Sequence, residues 1–265
     1  MPTSYAIDTH CHLTLSPKKE QKEIIVRAHK ANVLKMISVA CTLPQAKDCL
    51  ELAKDYEWVF ATVGIHPTDL SDDLERDMKK VYEMAKMERK IVAIGEIGLD
   101  YYHDKFAHGL QIDFLTTQLQ IAKRVGKPAI LHCRAGKNPE ENDSAFEDLY
   151  TILQEERTKD AVMHCFSGNR EQAQEALDLG LMLSFTGNVT FERNGKLREV
   201  LKSIPIERMM IETDSPFLTP KAFGDKPNEP AYVVEVAKTI AEVKGLGLDE
   251  VLTKTSGNAE RFFNI

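Results

Sequence analysis

The sequence predicts an α/β fold, a (β/α)8 TIM barrel, on three observations. Eight short apolar, β-rich runs recur along the 265 residues, and their continuous rather than alternating apolarity marks strands buried on both faces. An amphipathic, helix-patterned stretch follows each of the first seven runs, which makes the strands parallel. No low-complexity tract or Gly/Ser/Pro-rich linker interrupts the chain, so residues 1–265 read as one domain of the size this barrel fills. The competing doubly wound open sheet usually carries a glycine-rich first turn, which is absent here.

The first run, SYAIDTH, ends in the triplet His10, Cys11, His12 and precedes helical Gln21–Asn32. KMISVA leads into Pro44–Tyr56. VFATVGIHP ends at His66 and leads into Leu74–Arg89, where Met84 faces the barrel. IVAIGEIGLD carries Glu96 and leads into Gln111–Val125, with Leu119 and Ile121 as packing residues. PAILHCR ends at His132 before Ser144–Glu156. AVMHCFSG ends at His164 before Arg170–Leu179, and LMLSFTG leads into Gly195–Ser203. MMIETDSP ends at Asp214, with Met209 and Met210 as strand core.

The reactive residues thus fall at strand ends, and in a barrel the carboxyl ends of the strands converge on one face. His10, His12, His132, His164, Glu96 and Asp214 are expected around one cavity, and imidazoles with carboxylates suit Zn, Mn or similar divalent ions. Each residue alone has an ordinary reading. The HxH pair fits two hydrogen-bonded strand-end histidines, and Asp214 fits a helix cap. Glu96 is harder to dismiss, because an unpaired charge in an apolar, Gly-flanked strand is costly. Six such coincidences at strand ends favour a metal site.

Alternation along a strand turns Cys11 away from His10 and His12. The same rule sets Cys133 and Cys165 behind the barrel wall, and Cys41 and Cys49 also read as packing residues. His29 is expected on a helix surface, His108 in a polar connection, and Glu140–Asp143 in a solvated loop. Arg134, Ser167 and Asn188 sit on strand-end loops as candidate substrate contacts.

The formal net charge of −7 gives no bulk cationic surface for phosphate, although bound metal ions can supply positive charge locally. No signal peptide is visible, and no apolar run approaches the roughly 20 residues that span a bilayer. Five cysteines without an export signal read as reduced thiols in a cytoplasmic protein. No obligate protein partner is indicated.

Taken in order, DTHCHL, VGIHP, IGEIGLDYY, ILHCR, MHCFSG, IETDSPFLTP, NEPAYVVEVA and NAERFF resemble the TatD-type metal-dependent deoxyribonucleases, within the metal-dependent hydrolase superfamily of TIM barrels. The resemblance covers essentially the whole chain. It implies that His10, His12, Glu96 and Asp214 hold one divalent ion (Zn, Mn or Mg). It implies too that Glu96 bridges to a second ion held by His132 and His164. His66 matches a histidine near the substrate, and His103 lies where the family places a polar residue near the scissile phosphate. The implied reaction is hydrolysis of DNA phosphodiesters by a metal-activated water, with Asp214, His66 and Glu96 as catalytic groups. The alternative is an ester or amide hydrolase, such as a D-aminoacyl-tRNA deacylase, on the same centre. A non-catalytic metal-stabilised scaffold is disfavoured, because structural zinc sites are closed and often thiolate-rich. Three departures bear on the substrate: Thr14 where an acidic residue is common, an apparent insertion AGKNPEEN after His132, and a basic stretch thinned to AFGDKP.

Overall fold

A computed structural model describes residues 4–103, 105–137 and 144–265. Eight strands form one sheet in the order of the chain, and every neighbouring pair is parallel. They are β1 (Ala6–Cys11), β2 (Val33–Ser38), β3 (Val59–Val63), β4 (Ile91–Asp100), β5 (Ala129–Arg134), β6 (Ala161–Met163), β7 (Met182–Phe185) and β8 (Met209–Ile211). Seven helices alternate with them: α1 (Lys18–Lys30), α2 (Leu43–Asp55), α3 (Leu74–Met87), α4 (His108–Val125), α5 (Ser144–Glu155), α6 (Arg170–Asp178) and α7 (Gly195–Ser203). Two more, α8 (Val233–Lys244) and α9 (Leu248–Phe263), follow β8 and were not expected as separate elements. Among the described residues, no helix is long and apolar enough to cross a membrane.

Local chemistry sets the helix ends. Thr42 caps α2 by accepting from the Gln45 amide, and Asp73 caps α3 through the Arg76 amide. Gly126 ends α4 in the left-handed region, where glycine carries no Cβ penalty. His108 is the first residue of α4, stacked on Tyr101 at 3.5 Å between ring centroids, so it has a partner that the sequence does not reveal. His29 is exposed on α1, as expected.

The barrel closes between β1 and the segment after β8. The Asp214 amide donates to the His10 carbonyl at 2.8 Å, and the His12 amide donates to the Ser215 carbonyl at 2.7 Å. Asp8 reinforces the seam by accepting from the Thr213 amide at 2.9 Å and its hydroxyl at 2.6 Å. Burial pushes the Asp8 carboxyl up to about 8.

One end of the barrel is filled by an apolar cluster that includes Ile7, Ile37, Ile130, Val162, Met182 and Met210, with Phe263 of α9 packed among them. Burying each such side chain is worth about 1.5–3 kcal/mol. A larger cluster lies between sheet and helices and holds Cys11, Leu119, Ile121 and Met209, with Met84 packed against it. Cys11 therefore faces away from the histidines beside it, its thiol donating to the Ile37 carbonyl.

Two strand expectations need correction. Glu96 does not end β4; it sits inside a ten-residue strand that runs on to Asp100. The β4–β5 register shifts between Ile94 and Ile97, and the β1–β2 register shifts between Asp8 and Cys11. Such irregularities re-aim side chains, and here they bracket Glu96 and His10. Gly98 follows with φ of 154°, and a Cβ there would stand 1.9 Å from the His132 carbonyl oxygen. Only glycine lets β4 approach β5 this closely.

The cysteines are the second correction. All five are free, but Cys41, Cys133 and Cys165 border a cavity at the carboxyl end rather than lying wholly behind the wall. Strand β6 ends at Met163, so alternation has no hold on Cys165, whose φ is 46°. Glu140–Asp143 and most of the AGKNPEEN segment lie outside the described residues.

Candidate metal centre

A cavity of about 730 Å³ opens at the carboxyl ends of the strands. His12, His66, Glu96, His103, His132, Arg134, His164, Ser167, Asn188 and Asp214 line it, and fully buried His10 lies against Glu96 and Asp214 beneath. Every candidate ligand and substrate contact named from the sequence is therefore brought to one place. Thr14 is not among the lining; its hydroxyl turns to the Cys49 thiol.

Glu96 organises the floor. Its Oε2 faces His10 Nε2 at 3.4 Å and His12 Nε2 at 3.8 Å. Asp214 Oδ1 completes this group, 3.3 Å from His12 Nε2 and 3.8 Å from His10 Nε2, and the two imidazole nitrogens are 3.3 Å apart. Four ligands about 2.0–2.2 Å from a tetrahedral ion stand about 3.3–3.6 Å from one another. The donors fit a divalent cation in chemistry, and three of the five separations fall in that range, the other two being 3.8 Å.

The other oxygen, Oε1, faces a second group: His132 Nδ1 at 2.9 Å, His66 Nε2 at 3.5 Å and His164 Nε2 at 3.7 Å. One carboxylate thus splits its oxygens between two sets of donors. His66 lies as near to it as His164, which the sequence does not foresee.

Groups behind the ring nitrogens fix their roles. The Val39 carbonyl, 3.1 Å from His12 Nδ1, can only accept, so Nδ1 carries a proton and Nε2 is the atom turned to Asp214 and Glu96. Thr68 stands behind His66, its hydroxyl 2.7 Å and its amide 3.2 Å from Nδ1, and turns Nε2 toward the cavity. Asp100 Oδ2 faces His132 Nε2 at 3.1 Å and His103 Nδ1 at 2.8 Å. Glu212 Oε1 is 2.6 Å from His164 Nδ1 and also accepts from the Cys165 amide at 2.7 Å. Asp100 and Glu212 are partners of the site histidines that the sequence reading missed. Their signal was present: each is an acidic residue in or directly after an apolar strand, where a buried charge must find a partner.

The electrostatics follow. Burial works against charge on Glu96, but His66, His164, His10 and His132 outweigh it and hold the carboxyl well below the usual carboxylate range. Burial opposes the His164 cation too, yet Glu212, Glu96 and Asp214 raise it to about 10. Burial and the neighbouring His132 drop His66 to about 3, so that ring is neutral. Asp214 is driven down by His12, His164 and His10 against its own burial. Its backbone is left-handed, with φ of 56°, an uncommon state for a non-glycine residue and one that clusters at functional sites.

A parallel eight-stranded barrel whose strand ends bring imidazoles and carboxylates to one open cavity is the build of a metal-dependent hydrolase. Comparison with known proteins makes this specific. The TatD related DNase family matches residues 7–264, and the chain belongs to it. It is 40% identical over 261 residues to YabD, an uncharacterised metal-dependent hydrolase of Bacillus subtilis strain 168, covering 97% of this chain and 98% of that one. It is 34% identical to the 3'-5' ssDNA/RNA exonuclease TatD of Klebsiella pneumoniae strain 342, covering 97% of each. The solved structure of YjjV, a TatD homologue from Escherichia coli K12, superposes with a TM-score of 0.90 at 29% identity over 99% of both chains.

Proposed function

We propose that this metal-dependent hydrolase is a nuclease that cleaves phosphodiester bonds of single-stranded DNA with two divalent ions, Zn, Mn or Mg, residues 1–265 acting as one catalytic domain. The division of the Glu96 oxygens between two donor groups on the floor of an open cavity carries the reading. His10, His12, Glu96 Oε2 and Asp214 would hold one ion; Glu96 Oε1, His132 and His164 would hold the other. Bound there, divalent cations supply positive charge that polarises the phosphoryl group and makes water more acidic.

The protein's own groups do the rest. Asp214, ionised and at the cavity edge, takes the proton of the attacking water as its oxygen adds to phosphorus. The P–O bond to the leaving sugar then breaks, its electron pair stays on the sugar oxygen, and that oxygen takes up the proton held by Asp214 or one from solvent. His66, oriented by Thr68 behind its Nδ1, presents Nε2 to the cavity as a candidate phosphate contact. His103, Arg134, Ser167 and Asn188 are candidate contacts around the mouth.

The rim favours a nucleic acid strand over a small ester. Five large apolar side chains are exposed among the described residues; Leu15 (45%) and Phe217 (52%) line the cavity, and Tyr102 (37%) stands against His103 and Arg134, which line it too. Arg134 lies 4.1 Å and Lys137 4.9 Å from the centre of the Tyr102 ring, placing cations on that side despite the chain's negative charge. The half-exposed Phe217 ring can take an unpaired base, and the cations over Tyr102 can take phosphates. Five free thiols suit a reducing compartment, so we assign the reaction to the cytoplasm.

The test is a paired assay on the Mn2+-loaded protein: a single-stranded oligonucleotide and an aminoacyl-tRNA ester, each with and without chelator. Chelator-sensitive cleavage of the oligonucleotide is expected. Turnover of the ester with no phosphodiester cleavage would replace this reading with the deacylase one.

A further inference from the structure

Helix α4 carries two glutamines among its buried residues, Gln111 and Gln118, each 1% exposed. Two helical turns separate them, so they stand in line on one face, about 10.5 Å apart along the axis. The other buried residues of the helix are apolar, among them Phe114, Leu115, Leu119 and Ala122. A side-chain amide buried there without partners costs on the order of 1–3 kcal/mol. Both glutamines are satisfied in the same way. Gln118 Oε1 accepts from the Ile65 amide at 2.8 Å, and its Nε2 donates to the Ile65 carbonyl at 3.2 Å. Gln111 makes the same two bonds, at the same distances, to the amide and carbonyl of Asp100. Its Nε2 donates to the Phe106 carbonyl as well, at 2.9 Å. Strand β3 stops at Val63 and β4 at Asp100, so the glutamines grip the backbone where the strands run out.

What they grip leads directly into the cavity. Ile65 precedes His66, whose Nε2 is 3.5 Å from Glu96 Oε1. Asp100 Oδ1 accepts from the Tyr102 and His103 amides at 3.0 and 2.8 Å, and its Oδ2 is 2.8 Å from His103 Nδ1. We infer that Gln111 and Gln118 are positioning residues, with α4 a splint that sets His66, beside Glu96, relative to His103 and Tyr102 at the mouth. This rests on the nuclease reading above, in which these groups contact the strand. A reacting group displaced by about 1 Å loses on the order of 100-fold in rate. Without Gln118 both peptide groups of Ile65 lose their partner, and His66 loses its register against Glu96.

The experiment is a double-mutant cycle on the full, Mn2+-loaded chain, with bis(p-nitrophenyl) phosphate and a single-stranded oligonucleotide as substrates. Gln118→Met should lower kcat on both by about 100-fold, with KM little changed. In the His66→Ala background the same substitution should cost nothing further, because the group it positions is gone. Gln111→Met should raise KM for the oligonucleotide, and should not do so in the His103→Ala background. Asn258→Leu is the control. It removes a buried amide that donates to the Ile206 and Met209 carbonyls at 2.8 Å each, outside the cavity lining. It should lower Tm and leave kcat and KM unchanged. Costs that simply add in the double variants make the glutamines structural and overturn the inference. Wild type that cleaves neither substrate removes the nuclease reading, and this role falls with it. Hydrogen exchange on the wild-type chain decides the matter if a variant fails to fold. The Ile65 and Asp100 amides should exchange as slowly as those of the core strands. Exchange at the rate of exposed loops would show that no clamp holds them and overturn the inference.

Discussion

The two sides of Glu96 are built differently. On the Oε2 side, His10, His12 and Asp214 make a closed set with donor separations of 3.3–3.8 Å. These donors come from β1 and the segment after β8, the seam that closes the barrel. On the Oε1 side, separations spread from 2.9 to 3.7 Å, and the donors come from β5, the loop after β3 and the end of β6. Both sides border the cavity, but only the first is tied to fold closure. An ion on the closed side should therefore bind more tightly, and the open side should exchange ligands as substrate arrives.

The largest expected effect removes the feature common to both sides. Glu96→Gln should abolish metal-dependent activity and leave the chain short of both ions, measured by elemental analysis after gel filtration. His132→Ala should remove only the ion on the open side and retain the other. Equal losses in the two variants would dissolve the distinction between the sides.

Why Glu96 holds this place was only partly legible in the sequence. The eight apolar runs and the histidines at or near their ends specify the barrel and the ring of donors, because burial and strand direction are written in residue type. The register shifts around His10 and Glu96 are not so written. They arise from pairing between strands distant in sequence, so Glu96 looked like a strand end when β4 continues four residues beyond it. Cys165 was misplaced for a related reason, since alternation was carried past the point where β6 stops. Asp100 and Glu212 were within reach, because buried acids in apolar strands demand partners, but which histidine each would meet depends on folding.

A smaller effect is set by pH. In the metal-free chain His164 is raised to about 10, and the neighbouring carboxylates raise His12 and His132 as well, all against their burial. A folded pKa above the unfolded value of 6.5 stabilises the chain fully below that pH, and the contribution fades as pH rises toward about 10. Divalent ions compete with the same protons, so their affinity rises over that interval and loading releases protons. The difference in Tm between metal-loaded and chelated protein should widen from about pH 6.5 to about pH 10. A gap that narrows would mean that the histidines are not proton-loaded when metal-free.

The smallest effect concerns the rim, and it separates binding from chemistry. Phe217 is half exposed, and its ring centre lies 6.1 Å from that of His12, edge to face, so it adjoins the closed side without supplying a donor. Stacking of a base on an aromatic ring is worth about 1–3 kcal/mol. Phe217→Ala should therefore raise KM for a single-stranded oligonucleotide by about 5–150-fold, with kcat and bound metal little changed. A small phosphodiester lacking a base has nothing to place on that ring, and its turnover should be the same in both proteins. If kcat falls for both substrates alike, Phe217 acts on the closed side through His12, and the rim is part of the metal centre rather than a seat for the strand.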